Sequence, residues 1–202
     1  MKSLRSVLCL FGIIFVSNSL FGQGMTDEII KGHMVADWER AKAYTKEYLD
    51  AMPEDGMSLK PTPDIRSFSE QMLHMSQGTI GLIVSGTGAT PIFQGKSLEK
   101  MDELKAKLAM TQVVMQAYDF AIESIRNLDA SKLSNIVKRG KYELSQYGWL
   151  NKAFEHQTHH RAQATVYLRL KGIKPRVRSF FKSMCHTDHC LRIFKELTFL
   201  IL

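Results

Sequence analysis

Phe154-Glu155-His156-Gln157-Thr158-His159-His160-Arg161-Ala162-Gln163 places three histidines within five residues. Around this stretch Trp149, Ala153, His156, His160, Ala164 and Tyr167 recur at spacings of 4, 3, 4, 4 and 3, the period of one face of an α-helix. His156 and His160 therefore stand where a core helix ordinarily carries Leu or Ile. Side chains at i and i+4 project one above the other, close enough to share one metal ion. Two buried imidazoles without partners are costly, and a divalent cation satisfies both. The plainer reading is a pair of core histidines, each hydrogen-bonded to a neighbour. His159 lies about 100° around the axis from His160, off the apolar stripe, and is expected to be exposed or to support the ligands.

Two histidines make a weak site, and the rest of the chain holds only His33, His74, His186 and His189. His74 belongs to Arg66-Ser67-Phe68-Ser69-Glu70-Gln71-Met72-Leu73-His74-Met75, which opens like a helix. Ser67-x-x-Glu70 fits a capping box, and Phe68, Met72, Met75, Thr79 and Leu82 form a helical stripe beside His74. His33 sits near the start of another amphipathic stretch, where exposure is expected. His74 is the expected third ligand.

Several separated motifs then agree in order and spacing. They are Trp38-Glu39-Arg40, Met52-Pro53-Glu54-Asp55, Lys60-Pro61-Thr62-Pro63-Asp64, Arg66-Ser67-Phe68-x-Glu70-Gln71 with His74, Ala153 through Arg161, and Tyr167 through Pro175. Together they resemble the DinB-like family. That family is part of a superfamily that includes bacterial low-molecular-weight-thiol transferases and mycothiol-dependent maleylpyruvate isomerases. The resemblance covers residues 26–175. It implies an all-α four-helix bundle in which three histidines, one from the second helix and two from the last, hold a divalent metal. Matched onto this chain, the implied ligands are His74, His156 and His160. The family commonly has Gly where this chain has Ala162, a mild change on a helix.

Composition suits one domain. The chain has 202 residues with 45 % hydrophobic content, enough for one sizeable core. Its net charge of +7 is unevenly placed. Lys2 and Arg5 lie in a leader, and the last 27 residues carry a net +3, which leaves +2 between them. No basic patch interleaved with aromatics occurs in the body, so no nucleic-acid partner is expected.

Met1-Lys2-Ser3-Leu4-Arg5-Ser6 is a basic start, and Val7 to Val16 is an apolar run of ten. Small and polar residues follow to Gly24. Residues 1–22 are therefore expected to be a secretory signal peptide, cleaved after Ser19 or Gly22. Cys9 lies inside the apolar run and not at the cleavage site, which argues against a lipoprotein anchor. The expected location is periplasmic or extracellular, with an uncleaved anchoring leader as the alternative. Once the leader is removed, no membrane span is expected.

Four amphipathic segments are expected, over about 27–52, 67–84, 97–128 and 146–171. The glycine-rich Gly86-Thr87-Gly88-Ala89-Thr90-Pro91 follows a helix and reaches Pro91. A phosphate loop follows a strand and opens a helix, so this is a structural turn. Asp129 to Ser145 is expected to be a polar, Lys-rich connection. Gly172 is the expected left-handed cap of the last helix and Pro175 its stop. No strand run is convincing, so the fold class is all-α.

Residues 176–202 depart from the family pattern as an extension, explained by a shifted reading frame near Pro175 or by a disordered tail. Cys185-His186-x-x-His189-Cys190 has zinc-ligand residue types, but six consecutive residues do not easily close a tetrahedron. The two cysteines are also placed to pair after export.

Three neutral imidazoles suit Zn²⁺, Ni²⁺ or Fe²⁺ and leave open coordination positions. The resemblance implies thiolate activation on a small-molecule substrate, with a low-molecular-weight thiol as cosubstrate. Hydrolysis is the other enzymatic reading. Glu70 is expected to be committed to capping, and Glu155, next to a ligand, to point away from it. The non-enzymatic reading is a metal-binding bundle acting in stress response or as a binding module, here a homodimer.

Overall fold

The computed structural model describes residues 24–95 and 97–175. Three of the four long helices start on a side-chain cap that satisfies a free N–H of the first turn. Thr26 accepts from the Ile29 amide at the head of α1 (Asp27–Ala51). Ser67 and Glu70 form the full capping box of α2 (Phe68–Thr87), and Ser145 accepts from the Gly148 amide at the head of α4 (Gln146–Leu170). Between the last two, α3 (Lys107–Arg126) begins from the extended Ala106 without a side-chain cap.

The helix ends follow the same local chemistry. Gly88 closes α2 at φ 72°, as the glycine-rich turn requires. Past α4, Gly172 also takes φ 72°. Its amide donates to the Arg169 carbonyl and the Ile173 amide donates to the Leu168 carbonyl, the Schellman arrangement.

The four helices form a bundle in which α2 packs on both α3 and α4, most extensively on α4, and α1 packs on α3. Trp38 is 1 % exposed at its centre and meets Tyr118 and Phe154 edge-on, with ring centroids 5.8 and 5.5 Å away. Leu49, Met52, Phe68, Met72, Ile83 and Ile125 are among the fully buried side chains around it. One face of α4 carries polar groups into this interior. Gln157 Oε1 accepts from the Tyr118 hydroxyl and from Arg161 Nη1, each at 2.8 Å. The Arg161 guanidinium also stands 5.2 Å from the Tyr44 ring centroid, a cation–π distance. No described helix is long and apolar enough to cross a membrane.

Two segments differ from the sequence expectation. The third helix starts at Lys107, because residues 98–104 form two 3₁₀ turns, Leu98–Lys100 and Asp102–Leu104, separated by the extended Met101. Bonds to α2 hold them there. The Leu98 amide donates to Gln77 Oε1 at 2.9 Å, and Lys105 pairs with Glu70 at 3.2 Å. The apolar spacing at 98, 101 and 104 serves these turns as well as it would serve a helix.

The polar, Lys-rich connection, in which no strand run is convincing, contains a β-hairpin, β1 (Ile136–Arg139) antiparallel to β2 (Tyr142–Ser145). Gly140, at φ 58°, opens its two-residue turn, the position that favours glycine in a type II′ hairpin. Its short strands are largely exposed and rich in charge, which hid their alternation. Trp149 Nε1 donates to the Val137 carbonyl at 3.0 Å and ties the hairpin to α4. The expected leader (1–22) and the extension (176–202), with its Cys and His residues, lie outside the described residues.

Candidate metal centre

His156 and His160 sit one turn apart on the face of α4 that meets α2, and His74 faces them from α2. One ligand nitrogen from each of the three lies within 4.8 Å of the others. The ring centroids are 4.4 Å apart for His156 and His160, 4.8 Å for His74 and His160, and 5.8 Å for His74 and His156. His160 is buried, His156 is partly covered, and the His74 side chain keeps 30 % exposure. The cluster is therefore inside the bundle but reaches its surface on the α2 side. Among the described residues no fourth His, Cys, Asp or Glu joins the group.

The electrostatics keep the two α4 rings neutral. Burial pushes His156 down to about 4, helped by His74 and His159, and pushes His160 down to about 4, helped by His156 and His74. A neutral imidazole offers a lone pair, which is what a cation requires. His156 Nδ1 is buried without a hydrogen-bond partner, an unusual and costly state for a polar atom. The donor set and this orphaned nitrogen fit a divalent cation held by His74, His156 and His160.

Neighbouring side chains orient the rings. His160 Nδ1 lies 2.8 Å from Gln71 Nε2 and 3.1 Å from Gln163 Oε1. It cannot accept from one and donate to the other at once. The tautomer whose Nδ1–H donates to Gln163 Oε1 would leave the other ring nitrogen of His160 free to hold a cation. His74 Nδ1 lies 3.5 Å from Glu99 Oε1. Burial works to raise the Glu99 pKa, but the bond from Arg66, its charge and that of His74 outweigh this and hold it below the usual carboxylate range.

Each sequence candidate has a definite place. His159 is exposed, although its ring touches that of His160. Glu155 points to solvent and pairs with Lys152 at 2.5 Å. Glu70 accepts from the Ser67 amide and is held below its ordinary pKa by that bond, with Lys105 and Lys60 adding to it. His33 is exposed on α1. Glu99, Arg66, Gln71 and Gln163 were not singled out for this role. Gln71 and Gln163 each lie three residues from a site histidine, a helical spacing that points to them; Glu99 carries no such local signal, because the apolar spacing around it reads as the start of a helix. A shallow depression lined by Gly148, Asn151, Phe154 and Thr158, and another by Phe120, Asn127 and Lys132, include none of the three histidines.

A four-helix bundle with inward histidines from α2 and α4 defines the class of protein. The family model described as the DinB family matches residues 22–184, and the chain belongs to that family. Two solved structures are similar in fold. A DinB-like protein from Bacillus cereus ATCC 10987 aligns with a TM-score of 0.62 at 20 % identity, over 72 % of this chain and 95 % of that one. A DinB-like protein from Bacillus subtilis aligns with a TM-score of 0.60 at 18 % identity, over 72 % of this chain and 96 % of that one. No curated protein matches the sequence.

Proposed function

We propose that His74, His156 and His160 bind one divalent cation, Zn²⁺, Ni²⁺ or Fe²⁺, and that the loaded site is a metal-dependent enzyme centre for a small-molecule substrate. The observation that carries this reading is the convergence of three ligand nitrogens within 4.8 Å without a fourth protein ligand among the described residues. Three protein ligands leave coordination positions for water or substrate, whereas structural sites are closed by a fourth. A cation held there would lower the pKa of bound water to about 7 or hold a substrate thiolate. These are the chemistries of a hydrolase and of a thiol transferase. The protein's own part is to keep the rings neutral, to hold His160 through Gln163, whose Oε1 also accepts from Gln71 Nε2, and to hold His74 through Glu99.

Elemental analysis of the purified protein, followed by assays with thiol–electrophile pairs and with hydrolysable esters and amides, tests the proposal. Stoichiometric metal with turnover in either set supports an enzyme. Metal without turnover in either favours the non-catalytic bundle. A protein that takes up none of the three metals ends both readings.

A further inference from the structure

Gly78 stands one turn beyond His74 on α2 and so shares its face. A methyl group at Gly78 would lie 2.3 Å from Cε1 and 2.5 Å from Nε2 of His156, far inside van der Waals contact. Gly81, on the same helix, has nothing within 4 Å of the corresponding position. Glycine in a helix interior weakens the helix relative to alanine. At Gly78 the missing side chain leaves a hole, and the His156 imidazole fills it.

We propose that Gly78 is a positioning residue of the histidine site: its lack of a side chain admits the His156 ring to the cluster with His74 and His160. The threatened atoms, Cε1 and Nε2, are at the free end of the imidazole. A methyl at position 78 is therefore relieved by swinging that ring aside. Such a swing leaves the helices in place but removes a ligand, since metal distances tolerate only about 0.2 Å of error. Rings at 74 and 160 alone then form the weaker two-histidine site. The inference rests on the proposal that the three histidines bind metal.

Zn²⁺ affinity of the full chain, measured by competition with a chromogenic chelator, tests it alongside far-UV circular dichroism. Gly78→Ala is expected to keep wild-type helicity and to bind Zn²⁺ about tenfold or more weakly, the range seen when support of a ligand is lost. Gly81→Ala is expected to bind as wild type. In a His156→Ala background, Gly78→Ala is expected to cost nothing further, because the ring it displaces is gone. Wild-type affinity in Gly78→Ala, or a further loss in the double variant, overturns the positioning role. Should Gly78→Ala fail to fold, recovery in Gly78→Ala/His156→Ala assigns the failure to the ring contact, and continued failure overturns the proposal. A wild-type chain that binds no Zn²⁺, Ni²⁺ or Fe²⁺ instead overturns the metal reading beneath it, a separate and recognisable result.

Discussion

Glu99 Oε1 lies 3.5 Å from His74 Nδ1, and the other oxygen of the same carboxylate accepts from Arg66 Nε at 2.6 Å. Arg66 is itself tied down, because its carbonyl accepts from the Tyr167 hydroxyl at 2.7 Å. The connected groups run from α4 through the α1–α2 loop to the 3₁₀ turn and back to a site histidine. A carboxylate on the outer nitrogen of a ligating imidazole fixes its tautomer and raises its basicity. Glu99→Ala is expected to weaken metal affinity by about 10- to 100-fold while leaving helicity unchanged. Isothermal titration with Zn²⁺ measures this, and an unaltered affinity would assign Glu99 to surface charge alone.

His156→Ala removes the ring that occupies the space beside Gly78. Its expected effect is loss of bound metal, read by elemental analysis, with the four helices still formed by circular dichroism. A metal content equal to wild type would show that His156 is not a ligand.

The metal-free protein is expected to lose stability as pH falls from about 6.5 to about 4. His156 and His160 protonate near 6.5 when unfolded but only near 4 when folded. Within that window the unfolded chain binds more protons, so stability rises with pH and is lost on acidification. The combined effect is on the order of a few kcal/mol. Glu70 and Glu99, both depressed, act in a lower window, below the ordinary 4.5. Urea unfolding of chelator-treated protein at pH values across the histidine window checks the sign; a flat profile there contradicts it.

Gln157 is fully buried and carries the polar layer inside the bundle. Gln157→Leu leaves Arg161 Nη1 without its acceptor, whereas the Tyr118 hydroxyl keeps Thr45 Oγ1, 2.7 Å away, as a partner. A stranded buried donor costs about 1–3 kcal/mol, more when charged, so a loss of about 2–3 kcal/mol is expected. Thermal and urea denaturation report it. A variant as stable as wild type would mean that the guanidinium finds another acceptor.

Much of the architecture is local and was therefore legible in the chain. The Ser67–Glu70 capping box, the Gly88 and Gly172 terminators and the period of His156 and His160 depend on residues within a turn or two of one another. They predict α2 and α4 closely. Helical phase alone also separates His160, on the α2 side, from His159, in solvent.

The late start of α3 and the hairpin were not legible in the same way. Leu98, Met101 and Leu104 fit a helical stripe, yet bonds from Gln77 and Glu70 on α2 draw that stretch into 3₁₀ turns. Ile136 to Ser145 shows little apolar alternation, and its strands are tied to α4 by bonds from Trp149 Nε1 and from the Gly148 amide.

By itself the sequence determined the rods of α1, α2 and α4, where they end to within a few residues, and which face of α4 presents imidazoles. Those are properties of contiguous residues, decided by backbone sterics and by a period of 3.6. Only the tertiary structure decided how α2 and α4 register against each other. That register brings the His74 ring to within 5.8 Å of His156, sets Glu99 behind His74, and puts the His156 ring in the gap at Gly78. Packing between helices fixes it through side chains far apart in the chain, and no local pattern encodes that distance.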